Sequence, residues 1–206
     1  MSFYFGNMIK AIIFDFDGVI ADTYELNLKI CRNQGRPDLS EEEFKDHHNG
    51  NVFNVPAIEF TKDQVREFYK QYYELANSKY IFPIHDELRK LVKEYSLYVV
   101  TSNSEKAVRR YIELGNLKEY FKAVLGMESS KLKTDKFKMI FSEFGLNKNE
   151  CIFVTDTSGD VLEAKTVGLK VLGVSWGYHS PKRLLKAGAD KIVENINDID
   201  KAIKNI

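Results

Sequence analysis

The chain has 206 residues, of which 44% are hydrophobic and 29% charged, a composition typical of a globular protein with one large or two modest domains. Its 30 basic and 30 acidic residues balance, which argues against nucleic acid or an anionic membrane as a partner, because both attract a basic excess. The two cysteines, Cys31 and Cys151, have neither zinc-ligand nor disulfide-framework spacing. The apolar stretch at 9–14 is too short for a membrane span or a signal peptide, so we expect a cytoplasmic protein.

Short apolar strands and helices alternate along most of the chain. The first strand is predicted at 8–14, where an apolar, partly β-branched run ends at Asp15. Further strands are predicted at 97–101, 123–125, 151–155 and 170–174, with a weaker one at 191–193. Helices are predicted at 86–95, 105–114, 135–144, 161–167 and 182–186. This alternation favours an α/β fold, a doubly wound parallel sheet with helices on both faces.

The region between the first two strands lacks a strand pattern and has helical periodicity instead. Two capping boxes, Ser40 to Glu43 and Thr61 to Gln64, predict the starts of helices. The aromatic stripe of Phe68, Tyr69, Tyr72 and Tyr73 favours packing within this region over a substrate platform. We therefore predict a core domain formed by 1–20 and 83–206 and a small, all-helical cap domain formed by 21–82.

Polar residues follow the predicted strands at their carboxyl ends, where parallel sheets bind ligands. Asp15 and Asp17 follow the first strand, Thr101, Ser102 and Asn103 the second, and Asp156 and Asp160 the strand at 151–155. Converging carboxylates repel one another unless a cation is present, and Mg²⁺ prefers oxygen ligands and works with phosphate. A lysine near the third strand adds a compact positive charge. The set predicts phosphoryl transfer, which depends on positioning and neutralisation of charge.

The chain resembles the haloacid dehalogenase superfamily on its phosphatase branch. The superfamily's DxDG motif stands as Asp15-Phe-Asp-Gly18, and the strand ending in Thr or Ser stands as Val99-Val-Thr101. The segment 131–137 keeps the lysine, aspartate and phenylalanine of a KPxPDxF pattern but neither proline. The GDSxxD motif stands at 155–160 with threonine in place of the leading glycine. All four motifs occur in the superfamily's order across nearly the whole chain.

The resemblance implies a role for each matching residue. Asp15 would be the nucleophile and a Mg²⁺ ligand, and Asp17 the acid and base, with its main-chain carbonyl at the metal. Thr101 would hold the phosphoryl group, with Ser102 and Asn103 as further substrate-binding residues. Asp156 would bind Mg²⁺ directly, and Asp160 directly or through water. Lys131, which fits the KPxPDxF spacing, is preferred as the lysine that neutralises the phosphate, with Lys133 as the alternative if the helix follows at once.

The resemblance implies a Mg²⁺-dependent hydrolase of small phosphomonoesters that works through an aspartyl-phosphate. The stretches Val174 to His179 and Ala187 to Asp190 are similar to the tail of phosphoglycolate phosphatase-like enzymes. A β-phosphoglucomutase-like mutase shares all four motifs and remains an alternative, as does a binding module without catalysis. A dehalogenase would have no use for Asp17. The partner is expected to be a small phosphate ester, and the chain a monomer or a homodimer.

Overall fold

A parallel β-sheet forms the centre of the molecule in our computed structural model, which describes residues 8–53 and 58–206. Within these residues the sheet has six strands in the order β3-β2-β1-β4-β5-β6. The strands are β1 (Ala11–Phe14), β2 (Ser96–Val100), β3 (Phe121–Leu125), β4 (Cys151–Thr155), β5 (Lys170–Val174) and β6 (Lys191–Val193). The predicted α/β class and parallel sheet are confirmed; β1 begins three residues later than predicted and β3 two residues earlier.

Helices occupy the connections between the strands. They are α1 (Tyr24–Asn33), α2 (Glu41–His47), α3 (Lys62–Glu74), α4 (His85–Leu91), α5 (Glu105–Leu114), α6 (Lys133–Phe144), α7 (Ser158–Thr166), α8 (Pro181–Ala187) and α9 (Ile199–Lys204). The helix α5 has the predicted bounds. The helices α6 and α7 begin two and three residues before the predicted positions. Residues of the motifs at 131–137 and 155–160 therefore lie in the first turns of these helices.

The two faces of the sheet pack against separate apolar layers. Successive side chains of a strand point to opposite faces, and accordingly Ile12 and Phe14 belong to one buried cluster, Ala11 and Ile13 to the other. All four residues are fully buried. Burial on both faces explains why β1 reads as a continuous apolar run rather than as an alternating one. Helices cover both faces, as the doubly wound fold requires.

The helices α1 to α3 form the segment inserted between β1 and the α4–β2 unit. Both predicted capping boxes are present: the hydroxyls of Ser40 and Thr61 accept from the main-chain N–H three residues on, and the side chains of Glu43 and Gln64 return the bond. These reciprocal bonds satisfy main-chain donors that a helix start leaves free.

The insertion contacts the core closely. The ring of Tyr72 on α3 lies 4.9 Å from that of Tyr111 on α5, and the N–H of Gly159 on α7 donates to the carbonyl of His48 at 3.0 Å. The division into a core of 1–20 and 83–206 and a cap of 21–82 stays a prediction, and residues 1–7 and 54–57 lie outside the described ranges. Among the described helices, no helix is both long and apolar enough to cross a membrane.

Candidate active site

Three neighbouring strands bring the predicted site residues to one edge of the sheet. The strand β1 lies between β2 and β4 and is parallel to both. Asp15, Thr101 and Asp156 each follow the last residue of one of these strands. Because parallel strands end at the same edge, the three side chains meet there. They are 6%, 1% and 0% exposed, so the strand ends form a polar site inside an otherwise apolar core.

Asp15 is held from two sides. Its Oδ1 accepts the N–H of Phe16 at 2.7 Å and lies 2.9 Å from Nζ of Lys133. Burial is the largest influence on this carboxyl and raises its pKa well above the ordinary value. The positive charge of Lys133 opposes that rise, and the carboxylate of Asp160 adds to it. The side chain lines the main cavity of the molecule, where a ligand can reach it.

Lys133, rather than Lys131, is the lysine that meets the acids. Its Nζ lies 2.9 Å from Asp15 and 2.6 Å from Oδ2 of Asp160, and its side chain is 1% exposed. Burial alone would lower the pKa of Lys133, but the two carboxylates outweigh burial and raise it. Lys131 is exposed, with Nζ 5.7 Å above the ring centre of Phe53. The structure thus brings the alternative, Lys133, and not the preferred Lys131, to the acids, and the role of either lysine at the phosphate stays a prediction.

The start of α6 explains this choice. The helix begins at Lys133 itself, and helical side chains lean towards the N-terminus of their helix. A lysine in the first turn therefore reaches back to the strand ends, whereas Lys131 lies before the helix. The main-chain N–H of Lys133 donates to Glu163 at 2.7 Å, which satisfies a donor that the helix start leaves free.

Asp160 and Asp156 differ in their surroundings. Oδ2 of Asp160 accepts from Lys133 and, at 2.8 Å, from Thr155 Oγ1. Burial would raise the pKa of Asp160, yet Lys133 and these hydrogen bonds lower it to about 2. Asp156 forms no ion pair with a described lysine or arginine. Burial raises its pKa, and the N–H of Tyr178, donating at 2.7 Å, and the more distant charge of Lys133 only partly oppose the rise. Asp160 is thus tied to the lysine, and its predicted role as a metal ligand stays a prediction.

The carboxylate of Asp17 accepts hydrogen bonds from side chains of both the core and the insertion. Its Oδ1 accepts from the hydroxyls of Thr23 at 2.5 Å and Tyr72 at 2.7 Å. Its Oδ2 accepts from Nδ2 of Asn103 at 3.1 Å. The turn after it needs a glycine, because Gly18 has a φ of 73° and an added Cβ would lie 2.0 Å from a carboxylate oxygen of Asp156. The acid is therefore fixed in orientation by these three side chains, and Nδ2 of Asn27 is a fourth, longer donor to Oδ1 at 3.4 Å.

The segment after β2 forms a tight polar turn. Oγ1 of Thr101 accepts the N–H of Asn103 at 3.0 Å, and the carbonyl of Thr101 accepts from Nζ of Lys136 at 2.6 Å. Ser102 lines the cavity, and its carbonyl accepts from Tyr69 at 3.4 Å. Asn103 also lines the cavity, but its amide is engaged by Asp17. The substrate-binding roles of Ser102 and Asn103 stay predictions.

Comparison with known proteins decides the family. The sequence pattern of the haloacid dehalogenase-like hydrolases matches residues 12–174, which include every site residue predicted from the sequence. The chain belongs to the haloacid dehalogenase-like hydrolase family. The relatives include a phosphoglycolate phosphatase from Photorhabdus laumondii, 24% identical over 93% of this chain and 91% of its own length. A protein from Caldanaerobacter subterraneus with the provisional name pyrophosphatase PpaX is 26% identical over 95% of both chains.

The fold of the family is equally evident in solved structures. A haloacid dehalogenase-like hydrolase from Streptococcus pneumoniae superposes with a TM-score of 0.78, at 21% identity, over 94% of this chain and 98% of its own. At that identity the likeness concerns the fold. The parallel sheet and the helices inserted between β1 and β2 are thus consistent with the fold of this family.

Members of this haloacid dehalogenase-like family typically depend on Mg²⁺, and the donor set here fits that ion. Among the described residues, no three His, Cys, Asp or Glu side chains converge on one metal position. Mg²⁺ nevertheless takes only one or two carboxylates from many proteins and keeps several waters. Buried Oδ1 of Asp156 has no hydrogen-bond partner, and burial raises the pKa of both Asp15 and Asp156. A cation held by these two carboxylates and the main-chain carbonyl of Asp17 would offset that cost.

Several residues of the site escaped prediction from the sequence. Thr23 contacts Asp17 from six residues along the chain, whereas Tyr72 and Tyr178 contact the acids from much more distant positions. None of the three belongs to the four motifs. Lys136 is fully buried against the carbonyl of Thr101. The spacing of Lys136 in the sequence could have indicated its burial, because Lys133, Lys136 and Phe137 lie on one helical face. All three are buried.

Proposed function

We propose that the protein is a Mg²⁺-dependent phosphatase of small organic phosphomonoesters that works through an aspartyl-phosphate on Asp15. The observation that carries the proposal is the buried group of Asp15, Lys133 and Thr101 at the wall of the cavity, with Asp17 close by. Relatives named phosphoglycolate phosphatase support the reaction class.

The residues divide the reaction between two steps. A carboxylate oxygen of Asp15 attacks phosphorus, and the bond from phosphorus to the leaving oxygen breaks. Asp17 gives its proton to that oxygen, so that an alcohol departs. Asp17 then takes a proton from water as the water oxygen attacks the aspartyl-phosphate, and the products are inorganic phosphate and free Asp15. Such a covalent route replaces one difficult step with two easier ones.

Charge and orientation are supplied by the surroundings of the acids. Lys133 neutralises part of the negative charge that Asp15 and the phosphoryl group bring together. Mg²⁺, held by Asp15, Asp156 and the carbonyl of Asp17, would add positive charge at the phosphoryl oxygens. Thr101, which lines the same cavity, would donate to one of those oxygens. Thr23, Tyr72 and Asn103 hold the carboxylate of Asp17.

The test is phosphate release from a panel of phosphomonoesters, with Mg²⁺ and with chelator, by the native chain and by Asp15→Asn. Asn keeps the shape of the side chain but is a far weaker nucleophile. We expect turnover that needs Mg²⁺ and that Asp15→Asn abolishes, with one alcohol formed per phosphate released. Activity retained in Asp15→Asn would overturn the assignment of the nucleophile. Isomerised phosphate ester in place of free phosphate would show a mutase.

A further inference from the structure

The main cavity extends well beyond the phosphate site into the helical insertion. It has a volume of about 630 Å³ and reaches from Asp15 to residues of α2 and α3. That volume suits a drug-sized ligand and greatly exceeds the two-carbon acid of phosphoglycolate. The far end is therefore built to hold a substantial leaving group.

The wall of this far end is apolar and largely aromatic. Phe44 and Ile58 are each 2% exposed, while the other apolar residues are half-buried. The apolar side chains that line this end include Phe44, Phe53, Ile58, Phe60, Val65 and Phe68. Aromatic rings attract other rings through edge-to-face and offset stacking, which a small acid cannot exploit.

The two histidines of the wall do not supply a cation at neutral pH. Nδ1 of His47 accepts the N–H of Ile58 at 3.3 Å, so this nitrogen carries no proton. Nδ1 of His48 lies 2.8 Å from the carbonyl of Phe44. Burial, with the neighbouring histidine charges adding, lowers the pKa of both side chains to about 4. Both rings are neutral and contribute flat surface.

The remaining charges of the described wall cancel. Two lysines, Lys62 and Lys131, and two glutamates, Glu59 and Glu163, line it. All but Glu163 are exposed at the rim. Glu163 is already bonded to the amide of Asn51 and the main chain of Lys133. The wall thus has no surplus positive charge for a second anionic group, such as the carboxylate of phosphoglycolate or the second phosphate of pyrophosphate.

We infer that this cavity selects phosphomonoesters whose leaving group carries an uncharged aromatic ring. The inference rests on the proposed function, because the cavity's other end is the phosphate site. It departs from what the names of the relatives would suggest. Phe60 belongs to the wall and lies 6.4 Å from the ring of His47, so it is the residue to test.

Binding of non-hydrolysable phosphonates tests the inference without turnover. Calorimetry with Mg²⁺ would compare benzylphosphonate, ethylphosphonate and phosphonoacetate on the native chain. We expect benzylphosphonate to bind ~10-fold tighter than either of the others, because burial of a ring removes apolar surface from water. Phe60→Ala should remove most of that preference, and Phe60→Leu should keep part of it. Tyr73→Ala, on α3 but facing Lys106 and Arg110, should leave it unchanged.

Turnover of benzyl phosphate, ethyl phosphate and phosphoglycolate separates the two proposals. Benzyl and ethyl alcohol are leaving groups of similar acidity, so the ring is the main difference between those esters. If phosphate is released but phosphonoacetate or ethylphosphonate binds as well as benzylphosphonate, the inference is wrong and the phosphatase stands. If benzylphosphonate is preferred but no ester is hydrolysed, the phosphatase is wrong and the aromatic site stands.

Discussion

Replacing Lys133 with methionine would remove a buried cation from between two carboxylates. Nζ lies 2.9 Å from Asp15 and 2.6 Å from Asp160, in a side chain that is 1% exposed. Breaking a buried ion pair by removing one partner costs about 3–5 kcal/mol of unfolding free energy. Protonation of Asp15, whose pKa is already raised, would limit the loss to the lower end of that range. We expect Lys133→Met to fold but to unfold at a lower urea concentration.

The effect on activity should be larger than the effect on stability. Removing one preorganised group that stabilises developing charge lowers kcat by roughly 10²- to 10³-fold. Lys131→Met is the matched control, because it makes the same chemical change two residues away at an exposed position. Its kcat should change by no more than about twofold, as for an ordinary surface substitution. The assay is Mg²⁺-dependent phosphate release, with circular dichroism and urea unfolding on the same samples.

The outcome that refutes this reasoning is specific. A large loss of kcat in Lys131→Met, with Lys133→Met nearly as active as the native chain, would return the role to Lys131. Lys133→Arg is the second variant to measure in case Lys133→Met fails to fold, because arginine keeps the positive charge. If Lys133→Arg were stable and inactive, the length of the lysine, and so its position between Asp15 and Asp160, would matter as well as its charge.

Three further predictions follow from contacts around the site. Tyr72→Phe removes one hydroxyl from Asp17, so kcat should fall about tenfold with little change in KM; an unchanged kcat and pH profile would exclude a positioning role. Burial lowers the pKa of Lys136 to about 8, from 10.5 in the unfolded chain, so the unfolded state binds more protons between these pH values. Native stability should therefore rise by about 3 kcal/mol relative to Lys136→Met across that window, and parallel unfolding curves would contradict it. Arg183→Ala removes contacts to the 46–51 segment, so amide exchange there should quicken while Tm barely changes, since exposed ion pairs contribute under about 1 kcal/mol; unchanged exchange would argue against this contact.

Most of the core could be predicted because its signals are local. A strand buried on both faces is a short apolar run, and the runs at β4 and β5 have the predicted bounds, as does the edge strand β6. The capping boxes of α2 and α3 depend on residues three apart, so both could be found from the sequence. The starts of α6 and α7 were placed too late, because polar residues that serve the site occupy the first turn of each helix.

The lysine shows why a family pattern alone is not sufficient. Lys131 fits the spacing of KPxPDxF, but both prolines of that pattern are absent here. The helix α6 begins at Lys133 without a proline before it, and the first-turn lysine reaches the acids. The position of the helix start thus determines which of the two lysines contacts the acids, which the motif alone leaves open.

The partners of Asp17 were beyond prediction because the chain path brings them together. The insertion leaves the core after Asp17 and returns at Phe82, whose N–H donates to Ile20 at 3.0 Å. That pairing holds the two connecting segments side by side and sets α3 over the site, where Tyr72 reaches the acid at 2.7 Å. The same side chain packs on Tyr111 of the core, whereas the aromatic stripe predicts packing within the inserted region. A movement of α3 away from the core would therefore withdraw a donor from Asp17, so the position of the insertion and the orientation of the acid are physically linked.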